Sequence, residues 1–523
     1  MLFNSYEFLF AFLPVTLAVF FLLSATGNRV LPIAWLVLAS LFFYGWWNPA
    51  FLGLIGFSVA FNYLLGLRLA QGRLNGDGQH VSVPLVLGIA VNLGLIGYFK
   101  YAGFLTSVAN HAVDTEFRLG EITLPLAISF FTFQQIAYLV DVRRGETTEP
   151  SFLRYCLFVV FFPQLIAGPI VHHKEVLPQF AREKIFRLRA TNLAIGLTIF
   201  AIGLFKKVVI ADRLADMAIP VFATAETGAT LDFFQAWGGA FAYSLQIYFD
   251  FSGYSDMAIG LARLFGIKLP LNFAAPYRAT SIIDFWRRWH ITLSRFLRDY
   301  LYVPLGGSRR GKIRRYGNVL VTMFLGGLWH GANWTFIVWG GVHGLMLVAN
   351  IAWRAAVPWH IDRWWSRAMA RALTFLAVTL AWVLFRAESF TGATNMFAGM
   401  ANLPKSLSGQ IGPLQDVMTD IGFRFQGGVV LTGTNIGNTM WLVFWIAFLW
   451  AMPTTQQLMT RFRPALGYPG PVATRRDPPA PLQRLIPRFF WRPSPVWAGL
   501  FASIAIFALL HLNQVSEFLY FQF

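Results

Sequence analysis

The chain alternates between long apolar runs and short polar segments over most of its length. About 20 apolar residues in a helix cross the roughly 30 Å hydrocarbon layer of a bilayer, because each residue adds about 1.5 Å. Two stretches, near 154–171 and 317–331, are shorter and contain prolines or glycines, so we expect short spans or re-entrant segments there. The pattern predicts 11 to 13 transmembrane or re-entrant helices. The longer apolar stretches are at about 7–25, 31–47, 50–67, 83–99, 123–141, 190–211, 233–252, 334–353, 371–387, 436–453 and 496–513.

The composition supports a membrane location. Of the 523 residues, 56% are hydrophobic and only 13% are charged, whereas a soluble domain carries about 25% charged residues. A chain of this length with so little charge cannot form a water-exposed surface, so we predict an all-α polytopic membrane protein. The single cysteine, Cys156, excludes an intramolecular disulfide. Because no His-x-x-x-His pair is present either, we expect no metal site.

The net charge of +18 has two possible explanations. Strongly basic soluble proteins often bind nucleic acid, but in a membrane protein Lys and Arg collect in cytoplasmic loops. We favour the second explanation, with membrane lipid rather than nucleic acid as the partner of these charges. The segment before the first apolar run is not basic, so we expect no signal peptide and an N-terminus outside the cytoplasm.

The charges also predict a side for each loop. The loop 454–495 is rich in arginine and should be cytoplasmic, as should the loop near Arg29. The segments 107–120, 213–232 and 388–435 should be external. Other cytoplasmic arginines and lysines are Arg68, Arg73, Arg143, Arg144, Arg182, Lys184, Arg187 and Arg189. Lys206 and Lys207 lie near the outer end of a span and violate this pattern, and snorkelling to the interface is the expected explanation.

A strongly basic segment, 271–316, interrupts the apolar pattern. Within it, 281–298 has apolar residues at spacings of three and four, which predicts an amphipathic helix lying in the membrane interface. His290 falls on the apolar, buried side of that helix. Two interpretations of the basic residues remain open, attraction to the membrane surface and a cytoplasmic mouth that binds a phosphorylated donor. The candidate donor-binding residues are Arg287, Arg288, Arg295 and Arg298.

Few histidines fall at membrane depth, where an ionisable side chain is costly and usually functional. His330 lies in the run TMFLGGLWHGANW with no acid or base within ten residues, flanked by glycines. A neutral imidazole there can act as a general base, or it can simply bond to a neighbouring carbonyl. His172 and His173 are adjacent and should point to different faces. Asp250 and Asp256 should lie at the end of a span, with Ser255 and Asp256 suited to cap a helix.

Three long motifs, in order, resemble the membrane-bound O-acyltransferase family, in particular its bacterial branch that acetylates exported polysaccharides such as alginate. The motifs are YFDFSGYSDMAIGLARLFGIKLPLNFAAPY (248–277), DFWRRWHITLSRFLRDYLYVPLGG (284–307) and FLGGLWHGANWTFIVWGGVHG (324–344). The segments MLFNSYEFLFAFLPV, NLGLIGYFKYAGF and FPQLIAGPIV are similar as well. The resemblance covers residues 1–390, which we expect to form the membrane core. Residues 391–523 should add C-terminal spans and the basic loop.

The resemblance implies a ring of tilted helices around a tunnel that joins a cytoplasmic funnel to an external one. It implies that His330 is the essential histidine and that His290 is a second one. It further implies a bacterial inner-membrane location, acetyl-CoA as the thioester donor with no tightly bound cofactor, and periplasmic acetyltransferase subunits as partners. Cellulose, peptidoglycan or teichoic acid could replace alginate as the polymer. The alternative from another class is a channel or transporter with His330 in its pore.

Overall fold

The computed structural model describes residues 1–74, 82–120, 122–357, 363–402, 433–467, 480–486, 489–512 and 519. These residues are almost entirely helical, and the one β-bridge among them joins Pro270 to Leu466. Single π-helical turns occur at Glu7–Phe12, Gly97–Tyr101, Lys206–Ala211 and Arg298–Tyr302. The α-helices are α1 Leu13–Ala25, α2 Val30–Gly45, α3 Phe51–Leu74, α4 Ser82–Ile96, α5 Ala102–Val113, α6 Ile128–Arg144, α7 Phe152–Val160, α8 Phe162–Leu165, α9 His173–Phe180, α10 Ala190–Phe205, α11 Asp212–Glu226, α12 Phe233–Leu264, α13 Ile282–Trp286, α14 Ile291–Leu297, α15 Lys312–His330, α16 Trp334–Ala356, α17 Trp364–Arg386, α18 Phe390–Ala401, α19 Gly433–Ala451, α20 Thr455–Leu458, α21 Pro481–Leu485 and α22 Pro495–Leu510.

Helices long and apolar enough to cross a membrane confirm the predicted fold class of an all-α polytopic membrane protein. Within the described residues there are six, and each overlaps a predicted stretch: Glu7–Ala25, Phe51–Leu74, Val83–Val113, Ala190–Glu226, Trp334–Ala356 and Trp364–Arg386. Three shorter apolar helices, Val30–Gly45, Gly437–Ala451 and Pro495–Leu510, coincide with predicted stretches as well.

The stretch 154–171 is partly irregular in conformation, as its prolines predict. Helices α7 and α8 are short, and the chain from Ala167 to Val171 is non-helical and buried. Backbone that leaves the helical pattern is tolerated at membrane depth only where protein encloses it. This segment therefore lies inside the molecule rather than against lipid.

Helix α12 is the central element of the fold. Every residue from Ala242 to Ala262 is buried, and the helix contributes to two hydrophobic cores, one with the N-terminal helices and one with α16 and α17. It packs on α10 through glycines: a Cβ atom on Gly203 would lie 2.6 Å from the Gly253 carbonyl oxygen, and one on Gly260 would lie 2.7 Å from that of Gly196. Small residues at this spacing allow helix backbones to approach closely in a membrane.

Lys206 and Lys207 do not snorkel to the interface, so that expectation was wrong. Lys207 is buried, and its Nζ lies 2.8 Å from both Asp212 and Asp250. Lys206 forms an ion pair of 2.6 Å with Asp256. Helix α10 continues through a π turn into α11, so that both lysines lie inside the protein. Their positive charges are compensated by the hydrogen-bonded carboxylates of the aspartates.

One further expectation about the same region was wrong. Ser255 and Asp256 lie inside α12 rather than at a helix N-cap. The segment 213–232 is largely helical, because α11 continues to Glu226, and its external location stays a prediction.

Two contacts join segments that are predicted to lie on the same side of the membrane. Arg29 pairs with Glu183, both in segments predicted to be cytoplasmic. Glu226 and Glu388 both lie in segments predicted to be external, and Glu226 accepts a hydrogen bond of 2.8 Å from the backbone of Glu388. Glu388 lies next to Asn333, just beyond the C-terminal end of α15. These two contacts are consistent with the predicted cytoplasmic and external sets of segments, and the side on which each set lies stays a prediction.

We expect the two sets to face opposite compartments, with 454–495 in the cytoplasm and 388–435 outside. Replacing Cys156 with serine removes the only cysteine, and single cysteines at the exposed positions Arg484 and Thr391 then report the side of each loop. An impermeant thiol reagent applied to intact cells should label Thr391→Cys and leave Arg484→Cys unlabelled until the membrane is opened. Labelling of Arg484→Cys in intact cells would contradict the assignment.

Candidate active site

The basic segment 281–298 is two short helices rather than one interfacial helix, so this part of the prediction was wrong. Helix α13 ends at Trp286, and α14 begins at Ile291. Between them, the Ile291 N–H donates to the Asn272 carbonyl at 3.0 Å, and the Arg288 carbonyl accepts from Ala274 at 3.0 Å. These backbone groups bond to the neighbouring segment, which interrupts the helix at His290.

His290 is fully buried, as predicted, and it occupies an unusual backbone conformation. Its φ of 42° lies in the left-handed region, where residues other than glycine are uncommon. Its Nδ1 lies 3.1 Å from Oδ1 of Asn272, which also accepts from the Thr292 hydroxyl at 2.9 Å. Because the amide oxygen only accepts, the network assigns the imidazole proton to Nδ1 and leaves the lone pair on Nε2.

His330 is the last residue of α15 and is buried in an aromatic enclosure. The rings of Trp329, Trp339 and Phe385 lie 5.0, 5.2 and 5.1 Å from the imidazole, centroid to centroid. The glycines of the motif have a packing role, since a Cβ atom on Gly327 would lie 3.1 Å from the Cα of Gly340 on α16. The close crossing of α15 and α16 places Trp339 beside the imidazole.

The structure brings the two predicted histidines to one cluster. The indole of Trp329 lies 5.0 Å from the His330 ring and 6.2 Å from the His290 ring, between centroids. The same indole stacks on Phe133 of α6. The two imidazoles come from separate segments, and both lie beside the same indole.

Two residues of the π turn 97–101 hold the end of α15, and sequence analysis missed both. The ammonium of Lys100 donates to the carbonyls of Trp329 at 2.7 Å and of His330 at 3.0 Å. The hydroxyl of Tyr101 donates to the Leu328 carbonyl at 2.7 Å. A signal was available, because Lys100 is the one charged residue between Arg73 and Asp114 apart from Asp77, and a lone cation at membrane depth usually has a role.

The four candidate donor-binding arginines line one large cavity of about 1320 Å³. Three of them already have acidic partners. Arg288 pairs with Asp284 at 2.9 Å, and Arg295 forms a bidentate pair with Glu175 at 2.5 and 2.8 Å. Arg298 makes a bidentate pair with its neighbour Asp299 at 2.7 and 3.0 Å.

The Arg295 pair affects the ionisation of its acid. Burial by itself would raise the pKa of Glu175, but the hydrogen bonds and charge of Arg295 outweigh it and lower the pKa. Glu175 therefore stays ionised and fixes the arginine against the cavity wall. This guanidinium is better suited to shape the cavity than to bind a ligand.

The remaining cations of the cavity have different surroundings. Arg287 is exposed, and in the described part of the chain no acid lies within 4.0 Å of it or of Arg315. Arg354 also lines the cavity and donates to the Ser281 hydroxyl at 3.0 Å. Arg315 and Arg354 were not among the predicted donor-binding residues, because they lie on α15 and α16 rather than in the basic motif 284–307.

The cavity and His330 lie at opposite parts of α15. Thr322 and Met323 line the large cavity, and His330 is seven residues beyond Met323, about 10 Å along the helix axis. His330 lines a separate small cavity of about 30 Å³, together with Lys100 and Ser129. Lys100 also lines a third cavity of about 520 Å³ beside α5 and the segment 117–122.

The adjacent histidines of α9 do not point to different faces, contrary to expectation. The Nδ1 atoms of His172 and His173 lie 3.9 and 3.7 Å from the same carboxylate oxygen of Asp141. His172 has an extended backbone and His173 begins the helix, so that the bend turns both rings the same way. Among the described residues, no three His, Cys, Asp or Glu side chains form a group that could hold a metal ion.

Comparison with known proteins identifies the family. The model of MBOAT, the membrane-bound O-acyltransferase family, matches residues 142–387, a range that includes His290 and His330. The chain is 46% identical over 430 residues to a peptidoglycan O-acetyltransferase of Helicobacter pylori, and the match covers 77% of this chain and 80% of that protein. It is 38% identical to a probable alginate O-acetylase AlgI of Pseudomonas aeruginosa over the whole of both chains.

A more distant relative is named for a different activity. A teichoic acid D-alanyltransferase of Streptococcus thermophilus is 28% identical over 284 residues, covering 50% of this chain and 68% of that protein. The sequence identity to the peptidoglycan O-acetyltransferase and the probable alginate O-acetylase is higher and extends over more of the chain. The chain therefore belongs to the membrane-bound O-acyltransferase family and is a membrane-bound O-acyltransferase.

Proposed function

We propose that this enzyme transfers acetyl groups from a cytoplasmic thioester donor, acetyl-CoA, across the bacterial inner membrane for the O-acetylation of an exported polysaccharide. One observation carries the proposal: the arginine-lined cavity and the small His330 cavity lie at different levels of α15. This arrangement suits a reaction whose donor enters from one side and whose acceptor enters from the other. The N-terminus is then periplasmic.

The large cavity suits a phosphorylated donor. Guanidinium groups match the geometry of phosphate oxygens, and the Arg287, Arg315 and Arg354 side chains surround a volume sufficient for a cofactor-sized molecule. Acetyl-CoA is a substrate in this scheme, with no tightly bound cofactor. A carrier protein as donor would instead present acidic residues to the same arginines.

His330 supplies the chemistry of the transfer. The imidazole takes the proton of the attacking hydroxyl as its oxygen forms a bond to the thioester carbonyl carbon. The carbonyl electron pair moves to the oxygen and returns when the carbon–sulfur bond breaks. The thiolate then receives the proton from the imidazolium. His290 is suited to orient one of the two substrates, because Asn272 fixes its ring.

The acceptor is a hydroxyl on an exported polymer or on a partner that passes the acetyl group to it. The relatives named as alginate and peptidoglycan acetylating enzymes support a polysaccharide. Periplasmic acetyltransferase subunits are the expected partners. Cellulose and teichoic acid are further possible polymers, and the channel or transporter alternative falls because the chain is an acyltransferase.

The test of this function uses sealed vesicles containing the purified protein and its periplasmic partner. Labelled acetyl-CoA supplied on the cytoplasmic face should transfer its label to polymer on the opposite face, and protein-free vesicles should not. Deletion of the whole protein should remove the polymer's O-acetyl groups in cells. Normal O-acetylation in the deletion strain would contradict the proposal.

A prediction about Arg287 separates donor binding from membrane attraction. Arg287→Lys keeps the positive charge but loses the planar set of guanidinium N–H donors that can bind a phosphate in a bidentate way. The loss of one charged hydrogen bond costs about 1.5–3 kcal/mol of binding free energy. We expect the apparent KM for acetyl-CoA to rise at least about tenfold, with the amount of inserted protein unchanged. Arg309→Lys, at an exposed arginine outside the cavity lining, is the matched control. An unchanged KM in Arg287→Lys would favour the membrane-surface interpretation.

A further inference from the structure

Lys100 occupies a position that its charge explains. The carbonyls at the C-terminal end of a helix have no intrahelical partner and carry partial negative charge. The Lys100 ammonium donates to two of these carbonyls on α15, Trp329 at 2.7 Å and His330 at 3.0 Å. In the part of the chain that the structure describes, no acid lies within 4.0 Å of this ammonium, so the helix end is its counter-charge.

The backbone around Lys100 places its side chain at the C-terminal end of α15. The chain from Val83 to Val113 is one long helical segment, and a π turn interrupts it at Gly97–Tyr101. Such turns are frequently found at functional sites. Lys100 and Tyr101 are consecutive in this turn, and both donate to the last turn of α15. The end of that helix is therefore held from one side by two side chains of a neighbouring span.

The held residue is His330 itself. Helix ends fray unless a partner bonds to them, and His330 is the final residue of α15, followed by Gly331 in an extended conformation. Movement of this last turn would move the imidazole relative to the small cavity that it lines. The same cavity is lined by Lys100, so the contact and the reaction centre are adjacent.

We propose that Lys100 is a positioning residue for the acyl transfer: its ammonium caps the C-terminal carbonyls of α15 and fixes the His330 imidazole against the small cavity. This inference rests on the proposed function. Its consequence is specific to the chemical step. The arginine-lined cavity lies on the other part of α15 and shares no lining residue with the small cavity. Donor binding should therefore not depend on Lys100.

Lys100→Met should lower kcat about 10²-fold, the loss typical of a reacting group displaced by about 1 Å, with the KM for acetyl-CoA unchanged. Lys100→Arg should restore most of the activity, because a guanidinium can also donate to two carbonyls. Tyr101→Phe should cause a smaller loss. Tyr98→Met is the matched control, since Tyr98 lies in the same π turn with its side chain exposed.

A chemical rescue separates positioning from folding within one preparation. Lys100→Cys in the Cys156→Ser background carries a single thiol, and an aminoethyl thiosulfonate reagent attaches an ammonium to it. Lys100 lines the 520 Å³ cavity beside α5, which gives the reagent access. The ammonium adduct should raise kcat at least about tenfold, and a hydroxyethyl adduct of similar size should not.

Equal kcat values for the two adducts, or full activity of Lys100→Met, would overturn the positioning role while the acyltransferase function stands. An inactive wild-type protein in the same assay would instead overturn the proposed function, and this inference with it.

Discussion

His330→Ala should lose essentially all polysaccharide O-acetylation while the protein inserts and accumulates at the wild-type level. A hydroxyl is a poor nucleophile near pH 7, and a general base within reach of its proton typically contributes about 10²–10⁴-fold. His330 is the imidazole in the small cavity, enclosed by Trp339 and Phe385. Because those rings exclude water, solvent cannot easily replace the missing base.

The measurement is single-turnover transfer from labelled acetyl-CoA by purified protein with its periplasmic partner. The KM for acetyl-CoA should be unchanged, since the arginine-lined cavity is intact. His511→Ala is the matched control, because His511 follows α22 and is exposed. Full transfer by His330→Ala would remove the catalytic role, whereas a loss of inserted protein would show that the imidazole serves the fold.

The helical spans were predictable because apolar length alone decides whether a helix can cross a bilayer. The two lysines near residue 206 were not, because their partners come from elsewhere. Lys207 meets Asp250 of α12 across the interface of two helices whose glycines allow close contact. In a single sequence each charged residue in a span looks unfavourable to bury. Only the packing of the helices shows that opposite charges lie together and compensate each other.

In the candidate site, too, the residue types could be predicted from the sequence but their distant partners could not. The apolar, glycine-flanked run around His330 indicates a candidate histidine, and the resemblance to the acyltransferase family implies its essential role. The four candidate donor-binding arginines look equivalent in sequence. In the structure, however, Arg295 forms an ion pair with Glu175 of α9, whereas Arg287 is exposed. Arg288 and Arg298 have acidic partners close in sequence, but the partner of Arg295 is distant, and helical periodicity does not predict it.

The break at His290 is the clearest failure of periodicity. Apolar spacing over 281–298 fits one continuous helix, but the segment near Asn272 bonds to the backbone at Arg288 and Ile291 and ends α13 early. A left-handed residue then turns the chain, so that the imidazole points into the core. A strained backbone of this kind is found mainly at functional sites.

His290→Asn tests that site with the least damage to the turn. Asparagine tolerates the left-handed conformation better than alanine does, so the variant should fold while it lacks the imidazole Nε2. We expect kcat to fall on the order of 10²-fold, the effect of losing an orienting group, and His290→Ala to be at least as impaired.

Asn272→Asp provides the comparison, because its carboxylate still accepts from Nδ1 and keeps the ring in place. It should retain far more transfer activity than His290→Asn. If His290→Asn were as active as the wild type, the left-handed turn would have only a structural purpose, and the acyl transfer would depend on His330 without a second histidine.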